Sequence, residues 1–374
     1  MGAGPAGDAV AAGLRDGGWD GAITLVGAER HMPYERPHLS KGYLLGTVPQ
    51  DRLPLRPAAQ YRDLGIQVIT GERVIDVGLD DHRVLLESGR TVGWDSLCIA
   101  TGSDARRLEV SGQPMHLREL DDADLLRVRL DGGRPLHIIG AGFIGCEVAA
   151  VGRQKGCAVR VDEALEQPLL RVLGADLGAY LAGVHREHGV DLRLKVETPP
   201  TADLVAIGSR PRTGLAERAG LATDRGILVD ALGRTSVPGA FAAGDVTRFF
   251  SPRYGTHIRV EHFQTAERQG FAVGRAMAGA TEPYDEVPWF WSDQYDLNLQ
   301  YVGAGLPWDE TIIRGELGRP PFTVFYRSGR RLIAAAGVND HHTIARTRHV
   351  MESGREVSRQ QLADPNFDLR RVPA

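Results

Sequence analysis

Two stretches of the chain spell the same glycine spacing: Gly2-Ala3-Gly4-Pro5-Ala6-Gly7 and Gly140-Ala141-Gly142-Phe143-Ile144-Gly145. In G-x-G-x-x-G the first glycine allows a tight turn into a helix, the second admits a pyrophosphate against the backbone, and the third lets helix and strand pack closely. The helix that follows offers unpaired N–H groups and a partial positive charge to the phosphates. An acid about 20 positions on, at the end of the next strand, takes the ribose hydroxyls. Glu29 and Glu163 stand in those places, so both copies predict a dinucleotide site. A carboxylate at Glu163 favours NAD(H) because it would repel a 2′-phosphate, while Arg160 or Arg171 leaves tolerance of NADPH open. Two such sites imply two nucleotides that meet, and a bound FAD with a transient NADH is the usual pairing.

Other residue types narrow the chemistry. Cys98, Cys146 and Cys157 form no C-x-x-C pair, and each lies in or beside an apolar strand or a glycine turn. They read as small buried fillers, so electrons would leave a flavin directly rather than through a thiol. Glu147 falls in the first turn of the helix after Gly145, where the helix dipole favours a carboxylate. Asp245 follows an apolar run and opens the segment leading to a later helix, a place where a carboxylate can grip polyol hydroxyls.

These residues need elements to carry them. The first turn leads into a small-residue helix over 8–15 and a strand over 22–26. A buried strand, 136–139, feeds the second turn, followed by a helix over 146–154 and a strand over 158–161. Short strands at 66–70, 74–77, 83–86 and 97–100 separate the two copies. Further strands are predicted at 190–194, at 202–207 with Gly208 beyond it, at 227–229 and at 239–245, with a helix over 265–278. Past Val287 come Trp- and Tyr-rich strands, a hairpin cue at Ser328-Gly329, and a helix over 343–353. No strand precedes Gly2, because the sequence starts inside the motif. Either the frame starts too late, or residues ahead of it are missing from the sequence as given, or the central strand is absent; one of the first two is expected.

Composition bounds the class. A chain of 374 residues, 42% hydrophobic and 25% charged, fits two or three soluble domains. Its 44 Lys+Arg against 48 Asp+Glu give a net charge of −4, without the basic footprint of a nucleic-acid binder. No apolar run is long enough to span a bilayer and no leader pattern is legible, so a cytoplasmic enzyme is expected. The 46 glycines exceed the usual share of ~7% and call for an explanation.

More specific than the glycines are Pro33-Tyr34-Glu35-Arg36-Pro37-His38-Leu39-Ser40-Lys41-Gly42-Tyr43-Leu44, Ala100-Thr101-Gly102-Ser103, Ala242-Ala243-Gly244-Asp245-Val246 and Pro288-Trp289-Phe290-Trp291-Ser292-Asp293-Gln294. Over nearly its whole length the chain resembles the FAD-dependent ferredoxin reductases of bacterial oxygenase systems, of the putidaredoxin, rhodocoxin and biphenyl-dioxygenase types. The resemblance implies an α/β fold with two Rossmann-like dinucleotide-binding domains, as in glutathione reductase, plus a C-terminal α+β domain. It assigns FAD binding to 1–108 and 213–286, NAD binding to 109–212, and the C-terminal reductase domain to 287–374.

The resemblance also implies roles. FAD would meet Gly2, Gly4, Gly7, Glu29 at the adenosine ribose, Arg36, Val74 on the adenine side, Ala100, Thr101, Gly102, Arg118 and Gly244. Asp245 would bond the ribityl chain, the Phe263 backbone N–H would meet the flavin ring, and Lys41 would lie near the isoalloxazine. NAD would meet Gly140, Gly142, Ile144, Gly145, Glu163, Arg171 and Gly208. Lys41 and Glu147 would pair beside the reacting ring, with Trp291 at the mouth of the nicotinamide pocket.

Electrons would pass from NADH through FAD to a [2Fe–2S] ferredoxin supplying a haem-thiolate monooxygenase or a Rieske oxygenase, in a monomer or weak homodimer. A rubredoxin reductase, a diaphorase and a slow FAD- and NADH-binding redox sensor are the alternatives on the same fold. Arg327, Arg330, Arg331, Arg346 and Arg348 are candidates for steering an acidic ferredoxin. Where the family has a β-meander, residues 195–201 cross directly; a true loss of that meander would expose apolar surface on the NAD-domain sheet, unless the residues are only missing from the sequence as given.

Overall fold

The first glycine turn lies in a unit made of Met1–Glu35, Gln50–Asp104 and Arg210–Glu286 of the computed structural model, which describes residues 1–197 and 199–372. Strand Ile23–Val26 pairs in parallel with Ile66–Ile69, and Leu97–Ile99 with Ala240–Ala242. Met1 and Gly2 lie between the two pairs. The Met1 ammonium donates to Cys98 O, Ala100 N donates to Met1 O, and Gly2 N donates to Val26 O.

Helix Pro5–Asp16 begins three residues ahead of its predicted start, because proline suits the first helical position, where its missing N–H costs nothing. It packs closely on helix Phe263–Met277: a Cβ added to Gly274 would lie 2.2 Å from Val10 O, so only glycine permits this approach. Part of the glycine excess thus serves helix packing rather than phosphate. Two small sheets complete the unit, an antiparallel one of Val74–Gly78, Arg83–Leu86 and Thr91–Gly93, and a mixed one of Ile227–Val229, Thr247–Ser251 and Thr256–Ile258.

The second unit comprises Arg36–Pro49, Ala105–Ser209 and Val287–Ala374. Its parallel sheet runs in the order Asp191–Leu194, Val159–Glu163, Leu136–Ile139, Leu204–Val205. The strand predicted over 202–207 is reduced to its two central residues. The apolar surface expected from a true loss of the meander is not seen: Ile138, Ile139, Val159, Val161, Leu192, Leu204 and Val205 are all buried. Bridges from Ser111 to Thr201 and from Met115 to Leu204 lay a further segment along that edge, while helix Phe143–Gln154 packs on the strands.

Helix Leu170–Glu187 has no counterpart in the sequence reading. Gly174, at φ 79°, kinks it near its start. Leu173, Leu177, Leu181 and Val184 nevertheless form one buried stripe against Tyr301, Phe322, Val324 and Tyr326. Those four belong to a five-stranded antiparallel sheet in the order Trp289–Gln294, Leu297–Gly303, Arg331–Val338, Arg319–Ser328, Glu310–Glu316. Strand alternation sends Val302, Phe325 and Ala335 to the opposite face, where Ile344 and Val350 of helix His341–Ser353 cover them.

Candidate functional site

The two glycine turns are built alike. Gly2 and Gly140 have φ of 99° and 101°, and a Cβ on Gly7 or Gly145 would lie 1.9 Å from the carbonyl oxygen of Gly2 or Gly140 respectively. Gly4 and Gly142 are extended N-caps, and no side chain caps either helix. Both helices therefore keep their first N–H groups for an anion, which fits a dinucleotide pyrophosphate.

In the first unit Glu29 lies beyond strand Ile23–Val26, half-buried, and accepts the Tyr34 hydroxyl at 2.5 Å. Val74 opens strand Val74–Gly78. Ala100 ends the Leu97–Ile99 run, the Thr101 hydroxyl donates to Arg212 O, and Gly102 takes φ 68°. Asp245 sits in the one-turn helix Gly244–Val246 and accepts a bond from Ser103 Oγ at 3.3 Å. Phe263 starts its helix two residues earlier than predicted. A Cβ on Gly244 would come 3.7 Å from Ala266, so this helix start adjoins the Asp245 turn. There the Thr265 hydroxyl, 3% exposed, makes no hydrogen bond among the described residues, which leaves it able to meet a polar ligand.

The sequence reading missed Asp8. Buried one residue beyond Gly7, it would oppose a diphosphate, but Arg56 Nε reaches its carboxylate at 3.0 and 3.1 Å and the Tyr61 hydroxyl at 2.6 Å. The arginine thereby balances the charge, a partnership over 48 positions that no local pattern announces.

The second unit gathers the predicted charged pair. Lys41 leaves the turn Pro37–Ser40, Glu147 comes from helix Phe143–Gln154, and Nζ stands 2.8 Å from Glu147 Oε2. Ser40 Oγ donates to the same oxygen at 2.5 Å, and Ser292 Oγ donates to Oε1 at 2.6 Å. Glu147, 2% exposed, is thus a buried carboxylate with one cation and two hydroxyl donors, an arrangement that compensates its lost hydration. Trp291 is half-buried and lines, with Lys41, Asp293 and Tyr295, a cavity of about 290 Å³. Arg36 Nη1 donates to Arg118 O at 2.7 Å.

Around the second turn, Glu163 accepts the N–H of Ala141 at 2.7 Å and of Leu165 at 2.9 Å, which fixes its carboxylate beside Gly140. Arg160 is held by Asp162 at 2.9 and 2.7 Å, so of the two arginines considered for a 2′-phosphate only Arg171, exposed at the start of its helix, points to no such partner among the described bonds. Ile144 is exposed in the first turn of its helix, and Gly208 takes φ 101°.

All three cysteines are buried, and burial pushes the Cys98 thiol up to about 12 and Cys146 higher still. Neither supplies a thiolate. Among the described residues no His/Cys/Asp/Glu cluster could hold a metal ion, and no helix is long and apolar enough to cross a membrane. Of the C-terminal arginines, Arg327 pairs with Glu310, Arg330 with Glu356 and Arg348 with Glu352.

Comparison with known proteins agrees with this geometry. Residues 1–199 and 201–270 match the pyridine nucleotide-disulphide oxidoreductase model, and 289–373 match the reductase C-terminal model. The chain is 39% identical to the ferredoxin–NAD(+) reductase component of the anthranilate 1,2-dioxygenase system of Burkholderia cepacia, over 99% of this chain and 97% of that protein. It is 35% identical to rhodocoxin reductase of Rhodococcus erythropolis, over 99% and 92%. Among solved structures, a covalent putidaredoxin reductase–putidaredoxin complex superposes with a TM-score of 0.95 at 34% identity, covering 99% of this chain and 96% of that one.

Proposed function

The chain belongs to the pyridine nucleotide-disulphide oxidoreductase family, and on that premise we propose that it is an NADH-dependent, FAD-containing ferredoxin reductase of an oxygenase system. Residues 1–108 and 213–286 hold FAD, 109–212 hold NADH, and 287–374 form the reductase C-terminal domain. The [2Fe–2S] ferredoxin it reduces serves a haem-thiolate monooxygenase or a Rieske oxygenase. One observation carries the reading: two glycine turns of matched geometry accompany a buried Glu147 paired with the half-buried Lys41, in a chain whose cysteines are all buried.

FAD, when bound, supplies the conversion of a two-electron hydride into single electrons. The chain's residues bind and orient. Gly2, Gly4 and Gly7 turn the helix N–H groups toward the pyrophosphate, Glu29 takes the ribose and Asp245 the polyol. Lys41, aimed by Glu147, sets a positive charge where negative charge gathers on the reacting ring. Glu163 holds the NADH ribose, and Trp291 excludes water at the mouth of its pocket.

The test is a visible spectrum of purified protein, an anaerobic titration with NADH against NADPH, and cytochrome c reduction with and without added [2Fe–2S] ferredoxin. Yellow protein bleached faster by NADH, with ferredoxin-dependent turnover, is expected. Turnover indifferent to ferredoxin would remove the electron-transfer role, and colourless protein would remove the flavin.

A further inference from the structure

Glu147 stands at the end of a chain of buried side chains that the roles above do not use. Ser292 and Gln294 alternate on strand Trp289–Gln294 and share one face, while Trp291 and Asp293 on the other face line the cavity with Lys41. Gln294 Nε2 lies 3.2 Å from Ser292 Oγ, and Gln294 Oε1 lies 2.9 Å from His185 Nε2 of helix Leu170–Glu187. His185 Nδ1 in turn meets the Tyr295 hydroxyl at 3.2 Å, and the His188 ring stacks on Tyr295 at 3.7 Å. Glu147, Ser292, Gln294 and His185 are each 2% exposed or less.

The direction of the hydrogens follows from one end. An ionised carboxylate only accepts, so Ser292 must donate to Glu147, and its oxygen must then accept from the Gln294 amide. The Gln294 carbonyl can only accept, so His185 carries its proton on Nε2. His185 Nδ1 is then an acceptor, and Tyr295 donates to it. Two further observations agree with this order. Burial lowers His185 to about 4, leaving the ring neutral, and burial raises Tyr295 well above its ordinary value, leaving its hydroxyl a donor.

We propose that Tyr295, His185, Gln294 and Ser292 form a one-way relay of donors that positions Glu147, and through it Lys41, for hydride transfer; the inference rests on the reading of Lys41 and Glu147 given above. Lys41 and Ser40 occupy one oxygen of the carboxylate. The relay supplies the other through Ser292, so both oxygens are held and the group does not rotate. Bonds in such a chain polarise one another, so the remote His185–Gln294 link strengthens the last one. Apolar side chains would fill the same space with no polar groups to satisfy, and four linked donors ending on a buried acid point to a purpose beyond packing.

The test uses the purified full chain with Ser292→Ala, Ser292→Thr and Gln294→Met. Ser292→Ala should slow flavin reduction by NADH about tenfold, as losing one bond to a charged group implies, with little change in the NADH concentration for half-saturation. It should also lower the flavin midpoint potential, and Ser292→Thr should restore both. Gln294→Met should move rate and potential the same way by less. Nitrogen-15 shifts of His185 should report the neutral Nε2–H tautomer at pH 7 in the parent chain. Ser292→Ala with parental rate and potential, in a protein that NADH reduces normally, overturns the relay and spares the reductase reading. An Nδ1–H or protonated His185 overturns the relay on its own. A chain that NADH fails to reduce overturns the reading itself and, with it, the relay's purpose.

Discussion

Glu147 concentrates the electrostatics of the second unit. Its carboxylate has three donors and almost no solvent, so removing it strands the Lys41 ammonium, itself only 13% exposed. Breaking a buried pair by deleting one partner costs about 3–5 kcal/mol, and Glu147→Ala should fall in that range in a denaturant titration. Glu147→Gln keeps the shape and one acceptor and should cost less. Acid pH tests other residues. Burial holds His185 and His262 at about 4, whereas an unfolded histidine binds its proton near 6.5. Between those values the unfolded chain carries more protons, so stability falls as pH drops from 6.5 to 4 and flattens below that. Each ring accounts for roughly 3 kcal/mol of that loss. Thermal unfolding followed across this range should show it, and a midpoint indifferent to pH there would mean the two rings are solvated.

Among the elements, the glycine turns separate cleanly into two experiments. A methyl group at Gly7 or Gly145 would overlap a carbonyl oxygen of its own turn, so either turn must open to accept alanine. Gly7→Ala should yield protein with little bound flavin, read as the absorbance ratio of flavin to protein. Gly145→Ala should keep the flavin and lose tight NADH binding. Equal loss of both nucleotides in each variant would contradict the assignment of one turn to each. These turns were legible because the steric demand on each glycine is local, and Lys41–Glu147 was legible only through the family pattern around it. Ser40 and Ser292 were not, since they reach Glu147 from 107 and 145 positions away. Helix Leu170–Glu187, which carries His185, was hidden because Gly174, Gly178 and Gly183 lower its helix propensity, although Leu173, Leu177, Leu181 and Val184 keep a helical period. The early start of helix Phe143–Gln154 was obscured by its glycine N-cap, while the strand at 202–207 was legible and only its bounds, Leu204–Val205, were not, two residues being too few to alternate.

For the molecule as a whole, charge is the property a ferredoxin meets first. The net charge is −4, so attraction for an acidic partner must come from local groups. Three of the five arginines considered for docking already face a glutamate, and Arg330, though 83% exposed, has Glu356 at 2.8 Å. A paired guanidinium projects a weak field beyond the screening length. Ferredoxin-dependent turnover should therefore decline gently with salt, by less than an order of magnitude between about 0.01 and 1 M ionic strength, where the Debye length shrinks from ~30 to ~3 Å. Direct reduction of the flavin by NADH, governed by contacts inside its own site, should change less over the same series. Glu356→Gln releases Arg330 and should steepen the ferredoxin salt dependence while leaving the NADH step alone. If turnover in the parent chain instead collapses with salt, the ferredoxin meets a basic surface other than these paired arginines.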